Sequence, residues 1–155
     1  MPNPDKYLED ISVGDVLTGP PIEIEEADVT AFGRAYDPQP FHTDAAAAKD
    51  SAFGGLIASG WHVAALVMRQ LVEMRPYGAT PMLGMGIDEL RWLHPVRPGD
   101  RLEVRREVVS VTRSKSKPDR GVVRTAVTVT NQDGVKVMTM TGLGQMPART
   151  RGVSS

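Results

Sequence analysis

The 155-residue chain contains no cysteine. That absence removes disulfides, thiolate catalysis and cysteine-ligated zinc in one step. An excess of charge of either sign is also missing: 18 Lys and Arg stand against 19 Asp and Glu, for a net charge of -1. A role on nucleic acid or on an anionic membrane therefore has no global electrostatic support. No apolar run approaches the roughly 20 residues of a membrane span. The first residues, Met1 to Lys6, include no apolar stretch of the kind that a secretory signal needs, so a cytoplasmic location is the expectation. Only three histidines occur, and their spacing suits no metal site, so none is expected.

What is present suits one soluble domain. Hydrophobic residues make up 41% and charged residues 24% of the chain, enough for a sizeable core. Neither an internal repeat nor a linker divides it. The expected domain covers 1–147, followed by a polar tail at 148–155 that frays from Arg149 onward. Val13-Gly14-Asp15 is a turn signal, and Ile22 to Glu25 alternates as a short strand. Asp28 is a candidate N-cap for a helix through Ala35. A second short helix is expected over the alanine-rich Asp44 to Lys49, with Thr43 as a possible cap.

From Trp61 to Met74 neither Pro nor Gly interrupts the chain, which predicts a helix of about 22 Å ended by Pro76. His62, Arg69 and Glu73 fall on one stripe with Gln70 beside them. The remaining circumference is apolar, so most of this helix is expected to be buried. The second half changes character. Gly86 to Leu93, Arg101 to Thr112, Val122 to Thr130 and Val135 to Leu143 read as strands. Pro98-Gly99-Asp100 and Asn131-Gln132-Asp133-Gly134 are the turns between them. Consecutive strands with short connections favour an antiparallel sheet. The fold class is therefore α+β, with a sheet wrapped around one central helix.

Chemistry concentrates in Tyr36-Asp37-Pro38-Gln39-Pro40-Phe41-His42. Each proline fixes its own φ and pushes the preceding residue toward an extended conformation, so the segment reads as a rigid loop. An acid and an imidazole held at a set separation can share one water as a general acid/base pair. A helix-ending Asp beside a packed loop His fits these residues equally well. The second feature is Phe53-Gly54-Gly55-Leu56-Ile57-Ala58-Ser59-Gly60, which leads into the long helix. Unpaired N–H groups at a helix start, Ser59 or Gly60 here, stabilise an oxyanion; tight packing alone would also explain the glycines. His62 and His94 read as structural. Arg97 to Arg124 carries a net excess of five cations, and its Arg113–Arg120 loop is either a solvated turn or a phosphate site.

Together these segments resemble the MaoC-like dehydratases, a family that includes (R)-specific enoyl-CoA hydratases. Tyr36 to Asp44 is similar to the family's hydratase motif. Phe53 to Gly60 with the helix after it, and Arg91-Trp92-Leu93-His94-Pro95-Val96-Arg97-Pro98-Gly99-Asp100, are similar as well. The likeness runs over roughly 11–143. It implies the hotdog fold, a homodimer or higher homo-oligomer, and Asp37 and His42 as the catalytic pair. Where the family most often has Asn between them, this chain has Gln39. The resemblance places the oxyanion donor at the start of the central helix, at Ser59 or Gly60. It implies reversible addition of water to a trans-2-enoyl-CoA thioester, with no cofactor beyond the coenzyme A that carries the acyl group. The CoA phosphates would meet Arg113–Arg120. Two other activities fit the fold: an acyl-CoA thioesterase and a non-catalytic acyl-CoA-binding subunit. Glu73, the one acid of the long helix, lies far from Gly60, which disfavours the thioesterase. The Met74–Met85 connection, with Tyr77, Met82 and Met85, is expected to fill core rather than line a tunnel.

Overall fold

A computed structural model describes residues 2–149. Its frame is an antiparallel sheet made of β1 (Val16–Thr18), β2 (Ile22–Glu23), β3 (Leu83–Trp92), β4 (Arg101–Arg113), β5 (Arg120–Thr130) and β6 (Lys136–Pro147). The strand order is β1-β4-β5-β6-β3, with β2 also paired to β4. A 3-10 turn at Leu8–Asp10 and four α-helices precede β3: α1 (Glu26–Tyr36), α2 (Pro40–Thr43), α3 (Ala45–Lys49) and α4 (Gly60–Met74). The long helix thus lies across an antiparallel sheet, as expected for a hotdog fold.

Sheet alternation does what the sequence pattern requires. Leu102, Val104, Arg106 and Val108 face inward from β4, and Val123, Val127 and Val129 from β5. Leu102, Val104, Val127 and Val129 form the main core with Val63, Leu66 and Val67 of α4 and with Ile22, Ile24 and Val29. A second, smaller cluster joins Leu8, Ile11, Val108, Val123, Met146 and Ala148. The β5–β6 hairpin is pinned by the Asn131 side chain, whose Oδ1 accepts from the N–H groups of Asp133 (2.9 Å) and Val135 (3.1 Å), and by Gly134 at φ 74°.

Several local readings change. The strand at Ile22 stops at Glu23, because Ile24 turns to pair with the Pro98–Asp100 turn: its N–H donates to Asp100 and its C=O accepts from Gly99. Asp28 does not cap α1. The cap is Glu25, and Asp28 lies in the first turn, where an acid favours the positive end of the helix dipole. Asp44, not Thr43, caps α3: its Oδ1 accepts from Ala46 (2.9 Å) and Ala47 (3.3 Å). Arg149 is not frayed, since its backbone and guanidinium bind Glu9 and Asp10, and Ala148 donates to Asp119. The rest of the expected tail, 150–155, lies outside the described residues.

The largest departure concerns α4. Its inner face is buried, but Trp61, Met68 and Val72 are 58%, 51% and 63% exposed. One sheet covers one side of a helix, and among the described residues nothing covers the other. The expected polar stripe is also split. Arg69 and Glu73 reach solvent as an i,i+4 pair at 3.9 Å, while His62 and Gln70 are buried.

Candidate active site

The Asp37–His42 segment is more ordered than a loop. Asp37 closes α1, and its N–H still donates to Gly33. Gln39 is extended (φ -75°, ψ 143°), as a residue before proline should be. Pro40 then starts the single turn of α2, where its missing N–H removes no hydrogen bond. The reading of a loop through His42 is corrected on this point: the second proline ends the loop by nucleating a turn. That turn swings His42 back over α1, with its side chain buried.

Gly33 makes this return possible. A Cβ there would stand 2.5 Å from the His42 carbonyl oxygen and 3.0 Å from its Cβ. A lone glycine inside a helical pattern was the available signal for this residue, and it does not feature in the motif.

His42 Nε2 lies 3.3 Å from Asp37 Oδ2. On the other side of the ring, Nδ1 is 2.7 Å from the Ile57 carbonyl. A carbonyl can only accept, so Nδ1 carries the proton and Nε2 of the neutral ring presents a lone pair toward the carboxylate. Two acceptors then face one point. A water there can donate one O–H to each.

The carboxylate is held from both sides. Gln39 Nε2 donates to Oδ1 at 2.8 Å, and Ser59 Oγ donates to Oδ2 at 2.8 Å. The Gln39 hydrogen bond, then that of Ser59, hold the Asp37 carboxyl below the usual carboxylate range, against the opposing effect of partial burial. Gln39 therefore acts here as an amide donor to the acid. Neither the Ile57 carbonyl nor the Ser59–Asp37 bond is readable from the motif, because both are contacts between segments.

Ser59 is the N-cap of α4, yet its hydroxyl caps nothing; it is spent on Asp37. Its carbonyl accepts from His62 and Val63. The N–H groups of Gly60 and Trp61 have no backbone acceptor among the described residues, so the start of α4 presents free donors beside the pair. Gly60 is also a packing glycine: a Cβ there would run into the Trp92 indole, which itself meets Trp61 edge-to-face at 5.0 Å. The oxyanion and packing readings of Gly60 are compatible.

The other histidines stand apart. His62 is buried and stacks on Phe32 at 4.8 Å, its Nδ1 lacks a partner among the described residues, and burial lowers its pKa. His94 is exposed after β3. The Arg113–Arg120 loop joins β4 to β5 at the end of β4 opposite Arg101. Its arginines are already matched: Arg113 binds Glu9 at 2.8 Å and the Pro118 carbonyl, and Arg120 binds Asp119 at 3.0 Å. Lys115 and Lys117 of the same loop form no ion pair among the described residues.

A family model described as a MaoC like domain matches residues 11–132, which contain every residue of this site. The solved MaoC-like dehydratase of Rhodospirillum rubrum is 43% identical, with 94% of this chain and 99% of that one covered and a TM-score of 0.83. The (R)-hydratase PhaJ1 of Pseudomonas aeruginosa, solved without ligand, is 29% identical over 92% of this chain and 86% of its own, with a TM-score of 0.76. Protein MaoC of Klebsiella aerogenes is 33% identical over 102 residues, which are 64% of this chain but only 30% of that longer protein.

Proposed function

Because the chain belongs to the MaoC-like domain family, we propose that it is a hydratase that adds water reversibly across the double bond of a trans-2-enoyl-CoA thioester, giving a 3-hydroxyacyl-CoA. The observation that carries this reading is the pair of converging acceptors, Asp37 Oδ2 and His42 Nε2, beside the free N–H groups at the start of α4. General acid/base chemistry and oxyanion stabilisation are the two requirements of adding water to a conjugated carbonyl.

The water lies between the two acceptors, with the thioester carbonyl directed at Gly60 and Trp61. Its oxygen attacks Cβ as one O–H breaks toward His42 Nε2. The double-bond electrons move onto the carbonyl oxygen, where the helix N–H groups stabilise the enolate. A proton from the pair then bonds to Cα, and the sum is one water added. Asp37 orients the water and balances the imidazolium, and the two groups titrate as one unit. No oxidation state changes, so the step calls for no redox cofactor; coenzyme A enters as part of the substrate.

The active unit is proposed to be a homodimer. Among the described residues β3 is an edge strand paired only to β6, and its Leu83 and Met85 are 64% and 54% exposed. An open apolar edge beside the bare face of α4 is a self-pairing surface. A second copy pairing β3 to β3 about a twofold axis would cover both at once. Met68→Glu should yield monomers by light scattering; an unchanged dimer would place the contact elsewhere.

A thioesterase of this fold would need a carboxylate on the helix to activate water. Glu73 is the only acid of α4, and it is exposed and paired to Arg69 near the far end. Purified protein given a panel of enoyl-CoA esters should consume the conjugated thioester without releasing free thiol. Thiol release in its place would reverse the assignment.

A further inference from the structure

Between the C-terminal half of α4 and the β3/β6/β5 part of the sheet lies a cavity of about 620 Å³ that shares no residue with the Asp37–His42 site. Its outer rim, Met68 and Val72 of α4 with Gly84, Gly86 and Ile87 of β3, lies on the face proposed above for the second copy, which would roof the cavity over. The sequence creates it by leaving side chains out. Gly84 pairs with Gly144 across β3 and β6, and Ile87 pairs with Gly142. A Cβ at Gly84, Gly86 or Gly142 would meet nothing within 4 Å. The floor of the cavity is therefore bare backbone. Tyr77 and Met82 pack against the smaller core cluster, as expected, and also line this cavity.

Its walls are mostly apolar, with one conspicuous cation. Arg106 faces inward from β4 and is 5% exposed. Its Nη1 donates to Gln70 Oε1 at 2.8 Å and its Nη2 to the Val67 carbonyl at 2.7 Å. The amide of Gln70 is turned this way because its Nε2 donates to the Pro20 carbonyl. Both partners of the guanidinium are neutral. Among the described residues no Asp or Glu lines the cavity, and Arg75 adds a second cation at its rim. Asp15, the acid whose field reaches Tyr77, is exposed at the β1 turn and forms no ion pair with Arg106. A buried charge is normally paired. Thr80, also in the lining, has a buried hydroxyl with no hydrogen-bond partner among the described residues. An apolar cavity with a few convergent, unsatisfied polar groups is the usual form of a ligand site.

From this arrangement we infer that the cavity takes an acyl chain whose far end carries a carboxylate, bound by Arg106 with the Thr80 and Tyr77 hydroxyls as further donors. The inference rests on the hydratase reading for the thioester end. Arg106 is bonded to Val67, seven residues after Gly60, so it stands about 10 Å along the helix axis from the N–H groups that would hold the thioester carbonyl. A chain of about eight carbons spans that distance. Planar guanidinium binds carboxylate through paired hydrogen bonds, which supplies selectivity against a methyl end.

Calorimetry with octanedioyl-CoA and octanoyl-CoA, both saturated, tests the site without turnover. The intact protein should bind the dicarboxylic ester at least about 10-fold tighter. Arg106→Met, which replaces a buried cation by an apolar residue of similar length and should still fold, is expected to abolish that preference. Gly142→Val has room for its side chain and should weaken both ligands by filling the floor. Equal binding of the two esters, a preference that survives Arg106→Met, indifference of both to Gly142→Val, or free octanoate binding as tightly as octanedioyl-CoA would each overturn the proposal. Failure to hydrate any enoyl-CoA, with the binding preference intact, would sink the hydratase reading and leave this site standing.

Discussion

Replacing Ser59 by alanine separates the catalytic account from a merely structural one. The Ser59 hydroxyl is buried and makes one bond, 2.8 Å to Asp37 Oδ2. It does not cap α4, so its loss should not unwind the helix start, unlike an ordinary Ser-to-Ala change at an N-cap. Alanine fits the same space. What disappears is a hydrogen bond to a charged acceptor, about 1.5–3 kcal/mol in general. The Asp37 side chain is 21% exposed, so water can replace part of that bond and the low end of the range applies. About 1.5 kcal/mol corresponds to roughly a tenfold slower hydration. The pH profile carries the sharper signature. Ser59 is one of the groups that hold Asp37 below the usual carboxylate range, so removing it raises the Asp37 pKa and moves the acid limb of the rate profile to higher pH. The assay is loss of the conjugated thioester's absorbance across a pH series, with a thermal melt alongside. A profile and rate that match the intact protein would refute the claim that Ser59 tunes Asp37.

Gly33→Ala forces a Cβ to within 2.5 Å of the His42 carbonyl and should displace that histidine, reducing activity at least tenfold and lowering the melting temperature; an active, equally stable variant would show that α2 has room to move. Gly60→Ala drives its Cβ into the Trp92 indole and is expected to destabilise by about 1–3 kcal/mol in denaturant titration, with a slower reaction because the donor N–H groups shift. Asp37 also links folding to pH. Its folded pKa is depressed, so its stabilising contribution is complete above the ordinary carboxylate value and is lost as pH falls through the folded one. Asp37→Asn should flatten that part of the stability curve, and identical acid unfolding of the two proteins would contradict the depressed pKa.

Much of the fold was legible because its signals are local. Alternating Val and Thr in the second half, the turn residues Asn131 and Gly134, and an uninterrupted apolar stretch from Trp61 place the sheet, the hairpin and the helix. Asp37 and His42 stand out for the same reason: two of the four residues between them are prolines. Contacts between segments were not legible. That Ser59 serves Asp37 instead of capping its own helix depends on how α4 meets α1. That Arg106 lies under α4 and not in a solvated strand face depends on inward alternation from Leu102, a register that one residue's slip would reverse. The bare face of α4 looked like core because periodicity reports how much of a helix is apolar, without saying what covers it.

The central claim, that Asp37 and His42 together hold the attacking water, is tested most directly by steady-state hydration of trans-2-enoyl-CoA esters with the intact protein, Asp37→Asn and His42→Ala. Asp37→Asn removes the carboxylate charge and His42→Ala removes the imidazole acceptor 3.3 Å away, and each should lower kcat at least about 100-fold while the protein remains folded. Hydration that persists near the original rate in both variants would contradict the account.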